Sequence, residues 1–247
     1  MTMPTEDPGT GPRTVCLATH NPHKVDEIRA LLATYAPDLA TALRVVSLAE
    51  LGVQDAATED GADFEANAWK KARHAAARTG LWSLADDSGL VVDALGGAPG
   101  LYSARYGGAP AVGQTQAARN REVLLANLAS VPADGRQAHF VCVLCLVPPP
   151  VASNDAPASD APLQAATFHR GECFGSLLKL EQGVGGFGYD PLFVPTAAEI
   201  AAAGLPARCF GLSFGLLAAD EKNRMSHRTR AVQAMLPSLR RLLNSAT

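Results

Sequence analysis

An α/β fold built on a long mixed central sheet flanked by helices is the architecture this sequence predicts, on three observations. Apolar runs of strand length alternate with segments whose apolar residues recur at helical spacing. The stretches between them are rich in Gly, Pro, Asn and Asp. One apolar run, Gln137 to Val147, is long for a strand and implies a sheet that extends beyond a small core.

The elements follow in order. Thr14-Val15-Cys16-Leu17-Ala18 reads as a buried strand, and the turn Thr19-His20-Asn21-Pro22-His23-Lys24 leads into Val25, Ile28, Leu31 and Leu32 at helical spacing. Asn21 suits an N-cap and Pro22 the first helical position, so free backbone N–H groups point back at the turn. A second strand is predicted from Arg44 to Leu48. A helix from about Asp63 to Arg78 carries Phe64, Ala68, Ala72 and Ala75 on one face. Leu81 to Ala85 reads as a third strand ending in Asp86-Asp87-Ser88-Gly89.

After Leu90-Val91-Val92 come a glycine-rich loop, Gly96 to Gly100, a helix from about Gln114 to Ala129, and the long strand Gln137 to Val147. Residues 148–162, mostly Pro, Ala, Ser and Asp, hold too few large apolar groups to pack. They read as a mobile loop joining two hairpin strands, with a domain boundary as the other reading. Strand-like sequence resumes at Ala165 to Phe174, Leu177 to Leu180 suggests a short strand, and Leu192-Phe193-Val194 another. The last helix, Ala231 to Leu243, sets Val232, Met235, Leu236, Leu239 and Leu243 on one stripe. Residues 1–12 read as a disordered N-terminal extension and 13–247 as a single domain.

Composition narrows the function. Across 247 residues, 47% are hydrophobic and 18% charged, as in a globular protein with a sizeable core. Twenty-one basic against 24 acidic residues give a net charge of −3, which offers no basic field for nucleic acid. No apolar run has the length of a membrane span, the start of the chain lacks the pattern of a signal peptide, and five cysteines, an odd number, suit a reducing compartment; a cytoplasmic protein is expected. Cys142 and Cys145 mimic a C-x-x-C motif, but residues three apart on a strand face opposite sides, so core thiols are expected.

Four groups of residues suit chemistry. Thr19-x-Asn21-x-x-Lys24 would set two hydrogen-bonding side chains, a helix N-terminus and an ammonium around an anion, although an ordinary turn with an exposed lysine has the same spacing. Asp86 and Asp87 at a strand end, with Glu59 in Thr58-Glu59-Asp60-Gly61, would suit Mg²⁺, which takes one or two carboxylates plus waters and phosphates. A solvated turn explains that pair equally well. In Gly186-Phe187-Gly188-Tyr189-Asp190-Pro191, aromatics among glycines suit a flat ligand or a core. Lys222-Asn223-x-x-Ser226-His227-Arg228 clusters donors before the last helix, where an exposed cap would account for Ser226 alone.

In this order, and together with Glu59-Asp60-Gly61-x-x-Phe64-x-x-Asn67-Ala68, Ala85-Asp86-Asp87-Ser88-Gly89-Leu90 and Leu95-Gly96-Gly97-Ala98-Pro99-Gly100-x-Tyr102-Ser103-Ala104-Arg105-Tyr106, these motifs resemble the inosine triphosphate pyrophosphatase family, the Ham1-like house-cleaning enzymes. The resemblance spans about Thr14 to Leu243. It implies two lobes with a nucleotide cleft between them, Mg²⁺-dependent hydrolysis of ITP, dITP and XTP to a monophosphate and pyrophosphate, and a homodimer. It further implies Asp87 as general base, with Lys24 assisting catalysis, and Asp87, Glu59 and Asp86 at the metal. The substrate would meet Thr19, His20, Asn21, Pro22, His23, Lys24, Ser88, Phe187, Gly188, Tyr189, Asp190, Lys222, His227 and Arg228.

The sequence departs from the family at Ser213-Phe214-Gly215-Leu216-Leu217, where Leu216 stands in place of a common acid, putting contacts there in doubt. A Maf-like pyrophosphatase acting on modified pyrimidine or other nucleotides, and a sensor that binds nucleotide without turnover, are the alternatives.

Overall fold

A computed structural model describes residues 11–150 and 166–244. Residues 1–10 of the expected extension and 151–162 of the expected mobile loop lie outside them. Among the described residues six strands, β1 (Arg13–Leu17), β2 (Leu43–Ser47), β3 (Trp82–Val92), β4 (Gln137–Val147), β5 (Thr167–Leu177) and β6 (Phe193–Pro195), form one sheet in the order β2-β1-β3-β4-β5-β6. β1 runs parallel to β2 and β3, with Val15 opposite both Val45 and Trp82, while β5 and β6 are antiparallel. The sheet is therefore mixed. Its helices are α1 (Pro22–Tyr35), α2 (Pro37–Ala42), α3 (Phe64–Thr79), α4 (Gln116–Asn127), α5 (Ala197–Ala202), α6 (Ala219–Asn223) and α7 (His227–Asn244).

The chain divides into two compact units, one within Met1–Asp87, Leu144–His169 and Val232–Thr247, the other within Ser88–Val143 and Arg170–Ala231. In the first unit, α1 buries Val25, Ile28, Leu31 and Leu32 at the spacing the sequence shows. α3 turns Ala68, Ala72 and Ala75 inward with no exposed surface, and these small side chains let its backbone lie close to the sheet. Asp63 caps it by accepting from Ala66 N at 2.7 Å, and Gly80, at φ 67°, ends it in the left-handed conformation.

In the second unit, Phe140, Phe193 and Phe214 meet with ring centroids 4.7 to 6.1 Å apart, packed with Leu90, Val92, Leu124 and Leu128. The buried guanidinium of Arg136 donates to the carbonyls of Leu128, Val131 and Leu178, satisfying groups that burial would otherwise strand.

Several expectations need correction. The third strand does not end at Ala85: β3 continues through Asp86-Asp87-Ser88-Gly89 to Val92, because lysines rather than solvent compensate the carboxylates in mid-strand. Leu177 closes β5, and 178–180 add no strand. α7 starts at His227, not Ala231, with Ser226 Oγ accepting from Thr229 N at 3.1 Å, and its buried stripe ends at Leu242 rather than Leu243. His227 and Arg228 thus belong to the helix itself. The short helices α2, α5 and α6 carry too few turns to show a periodicity.

α7 seats directly on β5 at Gly171, where a Cβ would stand 2.2 Å from His227 O and 2.4 Å from Ala231 N. Gly171→Ala is expected to destabilise the protein by about 1–3 kcal/mol through this overpacking, read as a lowered urea midpoint. An unchanged midpoint would show that the helix start yields freely.

Candidate active site

In the first unit two adjacent carboxylates are nearly fully buried, Asp86 at 4% exposure and Asp87 at 8%. Two anions so placed require counter-charges. Lys24, on the first turn of α1, donates to Asp86 Oδ1 at 2.6 Å. Lys71, on α3, donates to Asp87 Oδ1 at 2.5 Å, to Asp86 O at 2.9 Å and to Glu59 Oε1 at 3.2 Å. Burial pushes the Asp87 carboxyl above its ordinary range, and Lys71 pulls against that shift. Burial likewise opposes the Lys71 charge, but Asp87, Glu59 and Asp86 hold its ammonium above the usual lysine value.

The Thr19–Lys24 turn folds as its residues dictate. Asn21 N donates to Thr19 Oγ1 at 3.1 Å, and His23 N donates to Asn21 Oδ1 at 3.0 Å, which caps α1 with Pro22 on its first turn. His20, Asn21, Pro22 and His23 are exposed. A cavity of about 150 Å³ opens here, lined among others by Thr19, His20, Lys24, Glu59, Lys71 and Asp86. The cavity gathers Lys24 and Lys71, ion-paired with Asp86 and Glu59, beside the turn that opens α1, and such a mixture of cations and carboxylates suits a phosphate that arrives with a cation. Among the described residues no group of three or more His, Cys, Asp or Glu side chains is arranged to hold a metal ion.

The second unit assembles a different cluster. Asp190 Oδ2 accepts from Lys222 Nζ at 2.7 Å and from Phe187 N at 2.7 Å, both charged side chains being buried. Gly186, at φ 70°, is required here: a Cβ on it would stand 2.0 Å from that same carboxylate oxygen. The Phe187 ring, 53% exposed, faces Lys222 Nζ at 4.5 Å and Arg228 Cζ at 5.8 Å. Arg228 is buried, and the His227 ring stacks on Phe140 at 4.9 Å. Tyr189 turns inward, donating to Ser103 O at 2.9 Å, and Arg121 donates to Gly188 O at 2.8 Å. An exposed aromatic face beside buried donors can take a flat polar ring.

Thr19, Lys24, Glu59, Asp86 and Asp87 are thus gathered in the first unit, and Phe187, Asp190, Lys222 and Arg228 in the second. Ser88 follows Asp87 on β3, half-buried. Of the two readings open for Tyr189, the structure shows the core: its side chain is buried. Leu216 is exposed, and beside it Gly215 N donates to Asp190 O at 3.0 Å.

Sequence reasoning passed over Lys71. Its signal was a lysine amid the alanines of the buried face, three residues after Ala68 and four before Ala75.

The Ham1 family model matches residues 15–238. A dITP/XTP pyrophosphatase of Photorhabdus laumondii is 44% identical over 232 residues, covering 92% of this chain and 98% of its own. One of Bifidobacterium animalis is 37% identical over 243 residues, covering 94% and 98%. Among solved structures, a HAM1 protein from Coxiella burnetii superimposes with a TM-score of 0.70 at 30% identity, over 94% of this chain and all of its own.

Lys71→Met leaves Asp87 buried without its closest counter-charge. The Asp87 titration is then expected to move to higher pH, followed through its side-chain carboxyl ¹³C signal. A shift to lower pH, or none, would show that Lys71 does not set that charge.

Proposed function

The chain belongs to the Ham1 family, and on that premise we propose that it hydrolyses noncanonical purine nucleoside triphosphates, ITP, dITP and XTP, to the nucleoside monophosphate and pyrophosphate. The observation that carries the proposal to residues is the buried Asp87 carboxylate, bound to Lys71 in the unit that presents the Thr19–Lys24 turn.

In this mechanism Asp87 accepts the proton of a water as its oxygen attacks the α-phosphorus, while the bond to the bridging oxygen breaks and pyrophosphate leaves. Lys71 favours the ionised form of Asp87 against the burial that opposes it, and its own ammonium, held above the usual lysine range by Asp87, Glu59 and Asp86, makes it a donor rather than a proton acceptor. Lys24 and the N-terminal N–H groups of α1, with Thr19, His20, Asn21, Pro22 and His23 around them, stabilise charge on the phosphates. Glu59, Asp86 and Asp87 are hard oxygen donors fit for Mg²⁺, which prefers one or two carboxylates plus phosphate oxygens to an all-protein cage. When bound, Mg²⁺ would neutralise phosphate charge.

Ser88, Phe187, Gly188, Asp190, Lys222, His227 and Arg228 are assigned to the nucleoside, with Phe187 stacking on the base and the buried donors facing its 6-oxo group. Tyr189 supports that loop from inside. A homodimer working on free nucleotide, without nucleic acid, completes the proposal, and the net charge of −3 supports its last part.

A pyrophosphate-release assay on purine triphosphates with Mg²⁺ tests the reaction class. Asp87→Asn keeps the shape of the side chain but accepts no proton, so kcat is expected to fall roughly 10²- to 10⁴-fold. Near-normal turnover would remove Asp87 from the role of base.

Base selectivity follows from hydrogen-bond polarity. Hypoxanthine and xanthine present an acceptor at position 6 where adenine presents a donor, and an arginine such as Arg228 can only donate. kcat/KM for ITP and XTP is expected to exceed that for ATP by up to roughly 10⁴-fold in competitive kinetics. Comparable values for ATP and ITP would overturn the assignment of these donors.

A further inference from the structure

Segment 53–61, which carries Glu59, lies antiparallel along α3 and is tied to it at successive rungs. Gly61 N donates to Asn67 Oδ1 at 2.7 Å, Lys70 Nζ stands 2.6 Å from Asp60, Lys71 Nζ 3.2 Å from Glu59, and the Asp55 carboxylate meets His74 Nε2 and Arg78 at 3.2 Å each. At the same end, His20 Nε2 donates to Val53 O at 2.9 Å, joining the segment to the phosphate-facing turn. No apolar side chain between Gln54 and Gly61 is buried, so polar links hold the segment in place. The Gly61 end is clamped by contact: a Cβ at Gly61 would stand 2.6 Å from Asn67 Oδ1. The far end is held by Asp55, by His20 and by Val53 N, which donates to Leu48 O at 2.9 Å.

We propose that Asp55 is a positioning residue, which by engaging His74 and Arg78 on α3 fixes the strap 53–61 so that Glu59 is held against Lys71 beside Asp87. The inference rests on the pyrophosphatase assignment for its consequence, since a loosened strap presents Glu59 less often to a metal-bound phosphate. It rests on the first unit alone for its structure.

Asp55→Ala, Asp55→Glu and wild type are compared in two measurements. Hydrogen exchange on the metal-free protein reads the strap directly. In Asp55→Ala the amides of Val53 and Gly61, which the strap's two ends hold in hydrogen bonds, are expected to exchange about three- to tenfold faster, with those of β1 and β3 unchanged, the effect that loss of the half-exposed Arg78 ion pair and the His74 contact allows. The Mg²⁺ concentration for half-maximal pyrophosphate release should rise several-fold, with kcat at saturating Mg²⁺ within about twofold of wild type. Asp55→Glu, which keeps the carboxylate, should restore both. Unchanged strap exchange in Asp55→Ala overturns the proposal, as does a loss of kcat that Mg²⁺ does not recover. If wild type releases no pyrophosphate from any triphosphate, the functional assignment fails while the exchange experiment still decides the strap.

Discussion

Two neighbouring carboxylates in the middle of a strand are the constraint on which the first unit turns. Asp86 and Asp87 are nearly fully buried, and an uncompensated charge at such depth costs about 3–5 kcal/mol. The chain answers with two lysines from different helices, Lys24 at the start of α1 and Lys71 in the buried face of α3. Each helix must then sit where its ammonium reaches. The alanines of α3 allow this by bringing its axis close to the sheet, and the Asn21 cap with Pro22 fixes where α1 begins. The same pairing that lets the strand fold opposes the upward pull of burial on the Asp87 carboxyl.

Close backbone approach governs the second unit more than charge does. Gly171 lets α7 settle onto β5, so His227 and Arg228 stand on the first turn of a long helix rather than on a loose connection. Gly186 makes room for the Asp190 carboxylate, which in turn gathers Lys222 and the backbone of Phe187. Gly215 serves Asp190 through its backbone, its N–H donating to Asp190 O. Each glycine trades a side chain for the placement of a polar group on its neighbour.

Much of the site was legible from residue types. Thr19, Asn21, Pro22 and Lys24 carry local chemistry that sets a cap and a helix start whatever lies elsewhere, and the structure keeps that geometry. Asp86-Asp87-Ser88-Gly89 misled because turn propensity is local, whereas the residues that keep it in a strand, Lys24 and Lys71, lie 62 and 16 positions away from their partners. Tyr189 stood open between ligand and core, and what decides for the core is a hydroxyl that finds the carbonyl of Ser103, 86 positions away.

The sequence by itself determined the alternation of strands and helices, the cap of α1, the buried faces of α1, α3 and most of α7, and the set of residue types that chemistry could use. These depend on periodicity and on contacts within a few positions, which a chain carries in its order of residues. Only the tertiary structure decided that β3 runs on through the two aspartates, that Lys71 is their partner, that His227 opens a helix, and that the strap carrying Glu59 is fastened along α3. Those outcomes depend on which distant side chain supplies a counter-charge or which backbone comes close, and no local pattern encodes that pairing.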